Sequence, residues 1–132
     1  MIIHYREDAS LEAEQLAELF RNSGIRRPTE DLGRLRLMID NSNLIVTAWH
    51  EGRLVGIARA LTDFSWCCYL SDLAVDLDYQ RRGIGRELVR LVRARTGETC
   101  SLILNSAPGA MEYYPKIGLE AIENGWMIKR AR

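Results

Sequence analysis

No apolar run in this 132-residue chain approaches the roughly 20 residues that a membrane-crossing helix needs, which excludes a helical span. The opening MIIHYREDAS turns charged too early for a secretory signal, so a soluble, cytoplasmic protein is expected. Cysteine is scarce. Cys67, Cys68 and Cys100 are odd in number with two adjacent, which builds neither a disulfide framework nor paired zinc ligands. All three are expected to be reduced, mostly buried small side chains. His4 and His50 stand apart, with no partner at ligand spacing, so no metal is expected. Charge of one sign is also missing: 18 Lys and Arg stand against 18 Asp and Glu. Such a chain has no general field drawing it to nucleic acid or membrane, and any anion site has to be local. Repeats, low-complexity tracts and Pro/Ser-rich linkers are absent, and the expectation is a single domain over residues 1–132 with one substantial core.

What is present alternates between two periods. IIHYR (residues 2–6) reads as a short strand. Ser10 reads as the N-cap of a helix carrying Ala13, Leu16, Leu19 and Phe20 at helical spacing and stopped by Gly24. Thr29, after Pro28, reads as the cap of a second helix with Leu32, Leu35, Met38 and Ile39 on one face. From Leu44 the pattern turns to strands: LIVTAWH and RLVGIARAL flank Glu51-Gly52, a tight hairpin turn, and WCCYLSDLAV (residues 66–75) is apolar on both faces, as in a covered central strand. A helix from about Gly83 to Arg95 follows, with Ile84, Leu88, Leu91, Val92 and Arg95 on one face. SLILN as a strand, GAMEYY as a short helix and WMIKR as a closing strand complete the chain, with room for one more short strand near Leu119. This order predicts an α/β sandwich around a mixed sheet.

Between the third long strand and its helix lies QRRGIGR. A helix N-terminus presents unpaired N–H groups and partial positive charge, and Gly83 and Gly85 remove side chains that would hold a ligand off. Arg81, Arg82 and Arg86 add charge, and Gln80 adds an amide. The stretch reads as an anion cradle, against the simpler reading of a turn and a solvated helix start. It is not a dinucleotide fingerprint, whose third glycine would fall at Leu88, and it lacks the Gly-Lys-Ser/Thr of a P-loop. Arg86, Arg90 and Arg93 also form a helical stripe, but Glu87 interrupts it and it reads as a solvated face, not a nucleic-acid surface.

The segment YLSDLAVDLDYQRRGIGRELVRLV resembles the central motif of the GNAT superfamily, the acyl-CoA-dependent N-acetyltransferases. Their pyrophosphate loop, Gln/Arg-x-x-Gly-x-Gly/Ala, is matched by Gln80-Arg81-Arg82-Gly83-Ile84-Gly85, and NSAPGAMEYYPKIGL is similar to the family's second signature. The resemblance covers residues 70–119. It implies a GNAT-like α/β sandwich with a central mixed, mostly antiparallel sheet flanked by helices. It also implies acetyl-CoA as donor, without metal, and direct attack by a primary amine in a ternary complex. Backbone groups of Leu73 and Val75 would pair with the pantetheine arm, amides of residues 81–86 would hold the pyrophosphate, and Gln80, Arg81, Arg82, Arg86 and Asn105 would line the donor site. Tyr114 matches the family tyrosine whose phenol can protonate or hydrogen-bond the CoA sulfur, against the simpler reading of Tyr113 and Tyr114 as core aromatics.

Two departures stand out: Pro115 directly follows Tyr114, which should end the short helix there, and Leu119 replaces the usual phenylalanine. For the base, Asp72 is the one carboxylate in the third long strand. Strict alternation sets it in a row with Trp66, Cys68, Leu70 and Ala74, where burial suits general-base work, and a structural carboxylate is the competing reading. Tyr69 and Ser71 on the opposite face are alternatives, as is ordered water. Trp49 and Trp66 are expected in the core, and Trp126 at a pocket or sheet end. The competing function is a non-catalytic acyl-CoA sensor, which has less need of Tyr114. The acceptor is not readable from RNSGIRRPTEDL, and homodimerisation through exposed strand edges is compatible with the pattern.

Overall fold

The computed structural model describes residues 1–132. Glu51 and Gly52 both take positive φ (51° and 79°), the geometry of a two-residue hairpin turn whose twist matches the strands it joins. Around it, β2 (Leu44–His50) and β3 (Arg53–Thr62) pair antiparallel, and the sheet grows outward from them. β1 (His4–Arg6) joins on the β2 side and β4 (Cys67–Val75) on the β3 side, both antiparallel, and β5 (Ser101–Ile103) adds parallel to β4 after a helical crossover. The sheet order is β1-β2-β3-β4-β5, a mixed and mostly antiparallel sheet.

Helices cover both faces. On one, α1 (Ala13–Ser23) and α2 (Leu32–Asp40) bring Leu16, Leu19, Phe20, Leu35 and Ile39 against Leu54, Ile57 and Ala74. On the other, α3 (Ile84–Thr96) brings Ile84, Leu88, Val89 and Val92 against Val46, Ala58, Ala60, Cys68 and Leu70. Each fully buried Leu or Phe contributes about 1.5–3 kcal/mol, so these two apolar layers dominate the folding energy. Gly56 lets α3 approach: a β-carbon there would meet Ile84 and Leu88 side chains at 3.2 Å. Val89 and Thr96 are buried on α3, while Arg95 reaches away to Glu7 at 3.2 Å.

Several local expectations are corrected. The N-cap of α1 is Glu12, its N–H bonded to Gln15 Oε1 at 2.9 Å, because Leu11 is drawn into the core and the helix starts after it. The cap of α2 is Asp31, which accepts from the Arg34 N–H at 3.0 Å, in place of Thr29. Trp66 precedes β4 and is 78% exposed, so it is no core residue. Pro115 lies inside α4 (Tyr113–Lys116) and does not end it at Tyr114. It stands in the first turn, where the missing N–H has no helical acceptor in any case.

The closing strand is absent: residues 120–132 make no backbone–backbone hydrogen bond, Trp126 and Ile128 are 97% and 99% exposed, and no strand forms near Leu119. β5 ends at Ile103 and its outer edge stays open. The alternating pattern of WMIKR therefore has no partner strand, and the tail's one polar tie is Arg34 donating to the Arg132 carbonyl at 2.8 Å.

The β3–β4 turn is pinned by one exposed carboxylate. Asp63 accepts from the backbone N–H groups of Trp66, Cys67 and Ser65 at 2.8–3.0 Å, which lowers its pKa to about 2. A depressed carboxylate pKa contributes stability that is present above the unfolded value and lost as pH falls through the folded one. We therefore expect a carboxyl-carbon NMR titration of Asp63 with its midpoint near 2, and Asp63→Asn to flatten the loss of stability between pH 4 and pH 2. A midpoint near the ordinary aspartate value would rule out this triple bond.

Candidate active site

The central feature is an extra residue in β4. Arg59 of β3 faces Asp72 and the next residue, Ala60, faces Leu70, which leaves Ser71 as a bulge. The bulge resets the alternation. Cys68 and Leu70 before it and Leu73 and Val75 after it all turn to the α3 side, whereas Asp72 and Ala74 turn to the α1/α2 side. Asp72 consequently does not share a face with Cys68 and Leu70, as strict alternation predicts.

Asp72 is instead the centre of a buried ion triad. Its side chain is 0% exposed; Oδ1 accepts from Arg27 Nε at 2.6 Å and Oδ2 from Arg59 Nε at 2.5 Å. Arg59, itself buried, also donates to Ser42 Oγ (3.0 Å) and Ser71 Oγ (2.9 Å). Arg27, from the α1–α2 connection, also donates to the carbonyls of Ser71 (3.0 Å) and Arg26 (2.6 Å) and stacks on Phe20, 5.9 Å from the ring centre. A carboxylate with no exposed surface and both oxygens held by guanidinium groups is a structural anchor. Of the two readings of Asp72, this geometry favours the structural carboxylate over the base. Arg27 and Arg59 were not singled out in the sequence, although a lone arginine within LVGIARAL was a signal for a buried partner.

Beyond Tyr69, β4 has no neighbour on its outer side. β5 pairs only with Cys67, Cys68 and Tyr69, and then the strands part. Asn105 stands at the fork, its Nδ2 bonded to Tyr69 Oη at 3.4 Å. From Leu70 to Val75 β4 thus offers an open strand edge, and its far end is met by Gln80, whose amide donates to the Val75 carbonyl at 3.0 Å.

The edge leads into the glycine loop. Asp76, almost fully buried, accepts from Arg53 (2.8 Å) and the Asp78 N–H (2.9 Å), and Tyr79 Oη bonds His50 Nδ1 at 2.7 Å, so the loop's root is held to the hairpin. Arg81 (φ 64°) and Gly83 (φ 81°) both take positive φ on either side of Arg82, an alternation of the kind that builds an anion nest from successive N–H groups. Among the backbone hydrogen bonds, none is donated by the amides of residues 81–86. Arg82 lies over the Tyr79 ring at 5.8 Å and Arg86 donates to the Lys116 carbonyl at 3.0 Å, which leaves Arg81 without a protein partner. Gly85 has a second reason to be glycine: a β-carbon there would fall 2.5 Å from the Tyr113 hydroxyl.

α4 lies across the opening. Tyr113 touches the start of α3, and Tyr114, half-buried, is packed edge-on against it with ring centres 5.3 Å apart. Burial pushes the Tyr114 phenol pKa up, as does Tyr113, while the Arg27 charge pulls against them. Tyr113 is likewise raised by burial and opposed by Arg86. Through Tyr113, Tyr114 is thus held near the N-terminus of α3. No cluster of three or more His, Cys, Asp or Glu could hold a metal, and no helix is long and apolar enough to cross a membrane. A free strand edge, a row of free amides and a neutral phenol fit a long, anionic thioester.

Comparison with known proteins bears on family and fold. Residues 11–126 match the model of the acetyltransferase (GNAT) domain. An uncharacterized N-acetyltransferase, ycf52, from Pyropia yezoensis is 24% identical over 123 residues, 88% of this chain and 69% of that protein. The chain spans only 30% to 56% of the length of three further relatives. A solved probable acetyltransferase from methicillin-resistant Staphylococcus aureus superposes with a TM-score of 0.77 at 22% identity, covering 98% of this chain and 100% of that one. The aminoglycoside N-acetyltransferase AAC(6')-Iy, solved with CoA, gives a TM-score of 0.74 at 14% identity over 99% and 96% of the two chains.

The triad predicts its own test. Asp72→Asn leaves two guanidinium groups with no counter-charge, and we expect a stability loss of about 3–5 kcal/mol in denaturant titration. A base removed from a proton path would instead leave stability intact and abolish turnover.

Proposed function

The chain belongs to the acetyltransferase (GNAT) family, and from that premise we propose that it moves the acetyl group of acetyl-CoA directly to a primary amine, both held at once, with Tyr114 as the acid to the departing sulfur. One observation carries the reading. The unpaired β4 edge, Leu70 to Val75, leads through a short turn to free amides at the α3 N-terminus, while α4 lies against that N-terminus through Tyr113 and carries the half-buried Tyr114 phenol. The edge can pair with the amide-bearing arm of the donor as one more strand would, and the nest and Arg81 can hold its pyrophosphate. Leu73, Val75, Gln80, Arg82, Ile84, Gly85, Arg86 and Asn105 belong to the same proposed lining. A cytoplasmic setting and action as a single domain are part of the proposal.

The chemistry follows from what each group can do. The amine must attack as the free base, so its proton leaves to water, since Asp72 is closed to it. Nitrogen bonds to the carbonyl carbon and gives up a second proton to water, the carbon–sulfur bond breaks, and the electron pair stays with sulfur. Tyr114 donates its proton there and regains one from water. Burial suits it to this, because a phenol with a raised pKa remains the neutral donor across the range in which amines lose their proton.

We expect Tyr114→Phe to lower the rate of CoA thiol release by about 100-fold or more with acetyl-CoA binding unchanged. In the wild type, kcat should rise with pH as the amine deprotonates and fall only beyond the ordinary phenol range, and the variant should lack that fall. Unaltered turnover in Tyr114→Phe would remove the acid role. Tight binding with no release to any amine would favour the sensor.

A further inference from the structure

The ion triad holds one more positive charge than it needs. Asp72 is neutralised by Arg59 alone, which is buried, bonded to it at 2.5 Å and satisfied on all three nitrogens by Asp72, Ser42 and Ser71. Arg27 then brings a second guanidinium, and no other carboxylate lies within 4.0 Å of either arginine. Two positive charges against one negative leave a formal +1 at the bulge. Arg27 is the member that reaches solvent, with 26% of its side chain exposed. Each of its nitrogens makes one bond, so three of the five N–H groups of a guanidinium are used and two remain. One face is stacked on Phe20, and the bond to the Ser71 carbonyl sets the guanidinium at the bulge, beside the open β4 edge.

Resting on the transferase reading, we infer that the acceptor is an amine that carries its own anionic group, a carboxylate or a phosphate, received by Arg27. The donor's phosphates do not meet this charge: Asp72 lies three residues, about 10 Å, up β4 from Val75, and the nest lies farther still. A guanidinium is the side chain whose paired donors match a carboxylate or phosphate edge, and in a partly buried position its charge-assisted bond is strong. The same charge disfavours polycationic acceptors and lysine-rich peptides. It also helps the reaction, since a nearby cation favours loss of the amine's proton. IRRPT could not disclose this, because the partner that draws Arg27 inward is 45 residues away.

The test compares matched amines: β-alanine against propylamine, and phosphoethanolamine against ethanolamine, each with acetyl-CoA, in the wild type, Arg27→Lys and Arg27→Gln. Arg27→Gln leaves Asp72 paired with Arg59, and unchanged circular dichroism and acetyl-CoA binding in both variants show that the fold is kept while the preference is read. We expect kcat/KM in the wild type to favour the anionic member of at least one pair by about 10- to 100-fold, mostly through KM. The β-alanine and phosphoethanolamine arms tell carboxylate from phosphate. Arg27→Gln should erase the preference, and Arg27→Lys should keep part of it. Calorimetric binding of the same amines to the CoA-loaded protein repeats the comparison without turnover. Equal use of charged and neutral amines by the wild type would overturn the inference. So would a preference that survives in Arg27→Gln, or a fall in kcat for every amine with no change in preference. Failure to bind acetyl-CoA would be a different failure, that of the transferase reading itself, and the inference would fall with it.

Discussion

The carboxylate of Asp72, sealed between Arg59 and Arg27, is the constraint around which the rest is arranged. It fastens β4 to β3, draws the α1–α2 connection down onto the sheet, and through Arg59 reaches Ser42 just beyond α2. Ions are costly to remove from water, and the arrangement persists because each charge is met by hydrogen bonds from fixed groups. The apolar layers supply most of the folding energy, but apolar contact alone is indifferent to small sliding. The triad fixes where the connection sits relative to the bulge, and with it what stands opposite the open strand edge.

Much of this could be read from the residues. The glycines and arginines of QRRGIGR, the Glu51-Gly52 turn and the helical spacing of α1 are local signals, and the elements they specify form where expected. What escaped depends on pairing between distant residues. A bulge is a property of two strands in register, so nothing in CCYLSDLAV announces that Ser71 is extra, and every face assigned beyond it is inverted. The same holds for Arg27, whose role is set by a carboxylate far along the chain, and for Glu12 and Asp31, which became caps because Leu11 and Pro28 fixed the chain's entry. WMIKR has the pattern of a strand and no partner to make it one.

A chain with no net charge can still hold strong local fields, because opposite charges are sorted in space. Positive charge collects toward the two ends of the open β4 edge, at the glycine loop and at Arg27, and α4 carries a half-buried phenol. Three acidic groups near these places are already committed: Asp76 to Arg53, Asp72 to its pair, Glu87 to Arg90. Composition reports the sum, while chemistry responds to the sorting.

The bulge has a consequence for how such a strand can change length. With Ser71 removed, Leu70, Asp72, Leu73, Ala74 and Val75 would fall into plain alternation, each still directed to the core it now serves. A chain one residue shorter could keep both cores and lose the bend that bulges impart where strands part company. Folding and aperture are therefore encoded in separable residues of the same strand, so a deletion here would cost the molecule its opening before its fold.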